Sequence, residues 1–390
     1  MDIAGQGKIN SMKVIVFGAG SFGSWSAYKL LQAGCQVTLV DSWGAGNSRS
    51  SSGGETRVIR TVYGQDELYV EMARRSMDDW RELPDSRELI EFTGNLWLCG
   101  EDDSYVRSSL NKMTSLGIPW EEIGINEASK RWPQMNWAGL KHVFFEPQAG
   151  FLRARKACVA IKNQFIKEGG LWEIETAILP DISQPVRKIS LTSGRALEAD
   201  VFVFACGPWL KQLFPSLLED ILTISRQEVY YFGVPAGTSQ FCQPALPIWL
   251  ELNEPIHYGL PSIDYRGFKI ARDQRGANFD PTNGDREPTA NLVNEVRNYL
   301  AHRFPGLANA PLTEARVCQY ANTPDGHFIL DQHKPSGLVI VGGGSGHGFK
   351  MGPAIGDRVV QLVREGQKDS CFNLNRFSQA RSKSTQFEHS

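Results

Sequence analysis

The sequence predicts an α/β protein in which a doubly wound, nucleotide-type unit is interleaved with a second, α+β unit carrying a mixed or antiparallel sheet. Three observations predict it. Residues 13–41 run strand, glycine turn, helix, strand; the strand, glycine and helix order returns near residue 201 and again near residue 338; and the stretches between hold short strands broken by Pro and Gly. With 390 residues and 41% hydrophobic content, the chain can bury a core large enough for two units.

The first element is KVIVFGAGSFGSWSAYKLLQAGCQVTLVD, read as a buried strand from Val14 to Phe17, a helix from about Phe22 to Ala33 and a second strand ending at Asp41. Gly18, Gly20 and Gly23 form GxGxxG, with Ala19, Ser21 and Phe22 filling the turn. The first glycine permits the tight turn, the second lets a pyrophosphate approach the backbone, and the third lets helix pack on strand. The helix N-terminus then faces the phosphates, and Asp41, with Ser42 beside it, can accept a hydrogen bond from a ribose. This Rossmann-type pattern does not choose between NAD and FAD.

Next comes SRSSSGGETRVIR, a Ser/Gly-rich loop carrying Thr56, Arg57 and Arg60. If a helix or turn begins there, the i, i+3 arginines project to similar sides, and two fixed cations beside a nucleotide suit a cofactor or an anionic substrate group. A solvated basic turn is the plain alternative.

A helical stretch follows near Asp66 to Arg81, then strand-like GNLWLCG, helical DDSYVRSSLNKMTSLG, and a helical pattern around Phe151 to Glu168. LEADVFVFACGPWLKQLF gives a buried strand, then Gly207, Trp209 and a helix start, a return to the nucleotide unit. Short strands fill residues 225–316, with a helix near Asn291 to Phe304. GLVIVGGGSGHGFKMGPAIGDRVVQLV closes the fold as strand, glycine loop and helix. Its Gly346 and Gly348 leave backbone bare where something flat approaches, while His347 and Lys350 supply donors around Phe349. The expected division is 12–90, 151–224 and 317–386 for the nucleotide domain, and 91–150 and 225–316 for the substrate domain.

A formal net charge of -2 gives no reason to expect nucleic acid or an anionic membrane as partner, which leaves a small molecule. The seven cysteines show no CxxC spacing and no zinc-type His pair, so no metal is expected and a reducing, cytoplasmic setting is. No apolar run approaches the roughly 18 residues of a membrane span. The residues before Met12 read as an extension outside the fold.

One cysteine stands out. In EARVCQYANTPDGHFILD, Cys318 lies between a short β-like run and a loop of Asn322, Thr323, Pro324, Asp325 and Gly326. A buried thiol acting as a small hydrophobe is the ordinary reading; a sulfur nucleophile facing the same flat ring as the glycine loop is the other.

Taken together, GAGSFG, GETRVIRTVYG, FFEPQAG, CGPW, YGLPS with a downstream lysine, VCQY with DGHFILD, and SGHGFK resemble the monomeric sarcosine oxidase family of FAD-dependent amine oxidases over nearly the whole chain. The resemblance implies a D-amino-acid-oxidase-like fold and FAD linked through its 8α carbon to Cys318, with Tyr320 near the ring. It also implies that Arg57 stacks near the flavin, that Arg60 and Lys350 hold a substrate carboxylate, that Tyr258 is a substrate-pocket tyrosine, and that His347 lies beside the reacting amine. Lys269 resembles the lysine at which O2 is reduced. On this reading an amino acid or secondary amine acid loses the equivalent of a hydride to flavin N5, the imine hydrolyses, and O2 becomes hydrogen peroxide. The family further implies a monomer.

Three positions depart from the family. Asp273 stands where a pocket histidine is usual, Gly53 replaces a histidine before GETR, and Trp249 replaces a smaller apolar pocket residue. Asp273 either meets a second amine or hydroxyl-rich group or pairs with Arg272 or Lys269. The expectation is a substrate larger than sarcosine, with fructosyl amino acid or cyclic imino acid oxidation as the near alternative. A dehydrogenase using another acceptor, a non-catalytic flavin subunit and an NAD-dependent dehydrogenase are the more distant ones.

Overall fold

The computed structural model describes residues 11–378. The expected N-terminal extension and the last residues of the 317–386 segment lie outside the described residues.

Four strands, three of them dominated by β-branched and other apolar residues, form the parallel centre of a six-stranded sheet. In spatial order they are Val201–Phe204, Lys13–Phe17, Gln36–Asp41 and Leu171–Ile174. Val339–Gly342 joins in parallel on the far side of Val201–Phe204, and Ile329–Gln332 closes that edge antiparallel. Helices Ser21–Gln32 and Gly352–Glu365 pack on this sheet and on each other, with Trp25, Leu30, Ile355 and Val359 buried between them.

The second sheet has eight strands and is mixed. It runs from Leu312–Asn322 through Thr223–Phe232, Phe268–Arg272, His257–Leu260 and Ile248–Glu251, then parallel to Asn95–Cys99, and on to His142–Glu146 and Glu121–Glu122. One face packs on helix Ala290–Arg303 through Trp249, Phe268, Ile270, Leu300 and Phe304. The other faces the nucleotide unit. Because side chains alternate along a strand, Phe268 and Ile270 enter the helix-side core while Lys269 points the opposite way.

Two local readings are corrected. Thr56–Ile59 is a strand paired with Gly150–Arg153, not a helix or turn, so the odd spacing between Arg57 and Arg60 puts them on opposite faces. Cys318 does not sit at a strand end: Leu312–Asn322 is a continuous strand, held by a long antiparallel ladder to Thr223–Phe232, and it passes through the 316/317 boundary unbroken. Beyond it the two sheets are tied. Ser345 in the glycine loop donates its backbone N–H to the Ala321 carbonyl at 3.0 Å, and the Thr323 N–H donates to Ser345 Oγ at 3.2 Å. No described helix is long and apolar enough to cross a membrane.

Candidate active site

A cavity of about 330 Å³ runs along the carboxyl ends of the parallel strands. Gly18 adopts φ +102°, and a Cβ there would come within 2.4 Å of the Ala205 carbonyl oxygen, so the turn admits only glycine. Gly23 is equally constrained, its would-be Cβ meeting the Gly18 carbonyl at 1.7 Å. Gly20, Ser21 and Phe22 line the cavity at the start of the first helix. The Asp41 carboxylate takes the N–H groups of Ala19, Trp43 and Gly44 at 2.7–2.8 Å, so it fixes the turn as well as lining the cavity with Ser42. Burial raises its pKa and these three amides oppose the rise.

Gly207 and Trp209 border the same space, where Trp209 packs against Trp43 at 4.9 Å, and Gly346, Gly348, Phe349 and Tyr320 form its other wall. Sequence reasoning missed Ser51, Ser52 and the Glu175–Ala177 segment on this wall. The serines sat in the quoted loop without a role, and the segment from 175 to 177 carries no motif.

A second, smaller cavity of about 50 Å³ adjoins the first. Arg57 and Tyr320 line both, and Cys318, Tyr258 and Lys269 line the second. Cys318 and Tyr320 share one face of their strand, two residues apart. Arg57 donates to the carbonyls of Thr56 at 2.7 Å and Ser51 at 2.5 Å, and its Nη2 lies 3.5 Å from Cys318 Sγ. Lys269 is buried, its Nζ donating to Thr56 Oγ1 at 3.0 Å and to the Thr56 carbonyl at 3.2 Å. Burial, reinforced by the positive charge of Arg57, lowers its pKa to about 7. Gly53 lines this cavity too, and a Cβ there would stand 1.9 Å from the Asn47 carbonyl, which rules out a histidine in this loop conformation.

Arg60, Lys350 and His347 line neither cavity, yet the fold brings them together in a buried layer alongside. The Arg60 guanidinium lies over the rings of Tyr63 and Trp97, at 4.6 and 5.1 Å, and donates to the Val62 carbonyl. Burial and the charge of Arg60 hold Lys350 well below the usual lysine range, while Glu146 and Asp273 act against that drop. Glu146, which sequence reasoning quoted but gave no role, accepts from Thr61 N and Oγ1 at 2.6 Å and from Trp97 Nε1 at 3.3 Å. His347 is held neutral by burial and by Lys350, with Nε2 3.0 Å from the Gly326 carbonyl.

Asp273 follows Phe268–Arg272 and its N–H donates to the Ile256 carbonyl at 2.9 Å; its charge reaches Arg60, Lys350, Tyr258 and Tyr320. Of the two cations beside it in sequence, Arg272 is bound to Glu295 at 2.8 Å and Lys269 donates to Thr56 Oγ1 at 3.0 Å. Trp249 is not a pocket residue. It is fully buried on the helix side of its sheet, stacked on Tyr299 at 5.6 Å and packed over Gly259, on the face away from both cavities.

A glycine-turned dinucleotide cavity against a mixed sheet, with buried cations at its inner end, defines a nucleotide-cofactor oxidoreductase. The profile of the family described as FAD dependent oxidoreductase (DAO) matches residues 13–362, and the chain belongs to that family. It is 31% identical over 374 residues to monomeric sarcosine oxidase from Bacillus sp. (strain B-0618), covering 93% of this chain and 95% of that one. It is 27% identical to N-methyl-L-tryptophan oxidase of Yersinia pestis (strain Pestoides F), covering 94% and 98%. Among solved structures, L-proline dehydrogenase from P. horikoshii shares the fold with a TM-score of 0.81 at 20% identity, covering 94% and 98%.

FAD is the family's cofactor, and the residues present fit it. The cavity reaches from the Gly18–Gly23 turn at the first helix N-terminus to Arg57 and Tyr320, with Gly20 and Gly346 both on its wall.

Proposed function

We propose that the protein is an oxidase of an amino acid or secondary amine acid larger than sarcosine. The observation that carries this reading is the pair of buried basic groups, Arg60 and Lys350, gathered on the Tyr63 ring beside the cofactor cavity. Two cations forced together in a low-dielectric layer are costly, and a substrate carboxylate relieves both at once. Bound FAD supplies the redox chemistry, taking the equivalent of a hydride from the carbon beside the amine and leaving an imine that water hydrolyses.

The chain's own residues do the rest. Arg60 and Lys350 orient the carboxylate, Tyr258 closes the pocket over the substrate, and neutral His347 fixes the layer beneath. Lys269, a fixed cation close to Arg57, stabilises the charge that develops as O2 takes up its first electron. Cys318 holds the cofactor covalently, a role supported by its place on the cavity wall beside Arg57. With Trp249 removed from the pocket, the size preference rests on Asp273, which offers an acceptor to an amino or hydroxyl group on the substrate. The seven free thiols support a reducing, cytoplasmic setting, and the relative's name supports a monomer.

The test is anaerobic mixing with a panel of N-methylated, cyclic and glycated amino acids while flavin absorbance is followed, then admission of air and assay of peroxide. Bleaching by several amine carboxylates followed by peroxide is expected. A flavin that stays oxidised with every amine overturns the reading.

A further inference from the structure

Tyr63 carries no role in the reading above, yet three groups of the substrate layer converge on it. Its side chain is buried. The Arg60 guanidinium carbon stands 4.6 Å from its ring centre and Lys350 Nζ 5.1 Å. Its hydroxyl lies 3.3 Å from His347 Nδ1.

The hydrogen-bond pattern around this ring is determined. The Gly326 carbonyl can only accept, so His347 carries its proton on Nε2, and Nδ1 accepts from the tyrosine hydroxyl. Burial pushes the Tyr63 phenol far above its ordinary value, so the hydroxyl remains a donor. Lys350 Nζ donates to the His347 carbonyl at 3.2 Å, which closes the link between cation and histidine. The ring itself is fixed from behind by Tyr69, stacked at 5.2 Å, whose hydroxyl lies 3.1 Å from His327 Nδ1. The electron-rich face of an aromatic ring attracts a cation, so one ring within reach of both basic groups favours both.

We propose that Tyr63 is the positioning residue of the carboxylate clamp: its ring holds Arg60 and Lys350 at carboxylate spacing, and its hydroxyl sets the His347 tautomer. This rests on the reading that those two cations bind the substrate carboxylate.

The two functions separate by substitution in the holoenzyme. Binding of (methylthio)acetate, a carboxylate with sulfur in place of the amine, is followed by the flavin spectrum, and KM and kcat by turnover. Tyr63→Phe keeps the ring and is expected to bind the probe within about twofold of wild type while kcat falls, because His347 loses its donor. Tyr63→Leu is expected to weaken the probe and raise KM by roughly tenfold to a hundredfold. A residue that merely fills space leaves both constants unchanged in Tyr63→Phe and is indifferent to the electronics of the ring. Should the leucine variant not fold, fluorinated phenylalanines at the same position preserve shape while draining the ring face, and probe affinity falls stepwise with fluorination. Undiminished binding in Tyr63→Leu, or affinity indifferent to fluorination, overturns the proposal alone. A wild-type protein that binds no carboxylate overturns the clamp, and this inference with it.

Discussion

Nη2 of Arg57 lies 3.5 Å from Sγ of Cys318, and the same guanidinium is locked to the carbonyls of Thr56 and Ser51. The guanidinium fixed in this way holds its positive charge at the wall the two cavities share, next to the sulfur. The relationship spans two sheets, since Arg57 and Cys318 sit on different ones.

The first expectation concerns that sulfur. Acid precipitation of the purified protein should leave yellow colour in the pellet, and intact mass should exceed the polypeptide by one FAD. In Cys318→Ala the flavin should pass to the supernatant. Colour that washes out of the wild type returns Cys318 to the role of an ordinary, half-buried thiol.

Lys269 divides the reaction by half. Lys269→Met should slow reoxidation of reduced flavin by O2 by about 10²–10³ fold and leave anaerobic reduction by the amine within about twofold. The pH dependence has opposite signs in the two halves. Lys269, with its pKa near 7, carries its charge below that value and loses it above, so the oxygen reaction falls as pH rises through about 7. The amine reacts in its neutral form, so its oxidation climbs over the same range. Stopped-flow measurement of each half from about pH 6 to about pH 9 checks both slopes.

Asp273 should set substrate choice. Asp273→Asn is expected to lower kcat/KM by roughly tenfold to a hundredfold for substrates bearing a second amino or hydroxyl-rich group, and to spare sarcosine. Competition between N-methyl-L-lysine and N-methyl-L-norleucine reads this directly, and an unchanged ratio would falsify the assignment.

Trp249 provides the contrasting case. Trp249→Phe should leave the substrate profile unaltered and lower stability by roughly 1–3 kcal/mol, measured by denaturant unfolding. The loss is tempered because the indole Nε1 is buried without a hydrogen-bond partner.

What the sequence discloses follows from which constraints are local. The Gly18–Gly23 turn is legible because its three glycines fall within one contiguous strand–turn–helix pattern, and the strands around it announce themselves by β-branched runs. Only Gly23 answers a clash inside that unit, Gly18 facing the distant Ala205 carbonyl. Asn322, Pro324 and Gly326 signal a loop close behind Cys318, whereas the length of the strand that bears it is set by its ladder to Thr223–Phe232. Ile248–Glu251 is buried on both faces, so alternation gives no clue to which side Trp249 takes; only the neighbouring strands decide. The same holds for Tyr63, whose partners Arg60, His347 and Lys350 come from both ends of the chain.

The link from Ala321 and Thr323 to Ser345 has a mechanical meaning. The long strand of the eight-stranded sheet passes straight into hydrogen bonds with the glycine loop of the six-stranded one, at the wall of the cofactor cavity. Two layers tied there resist parting like jaws at that edge, which favours passage of a bulky amine through rotating side chains and short loops over a swing of one half against the other.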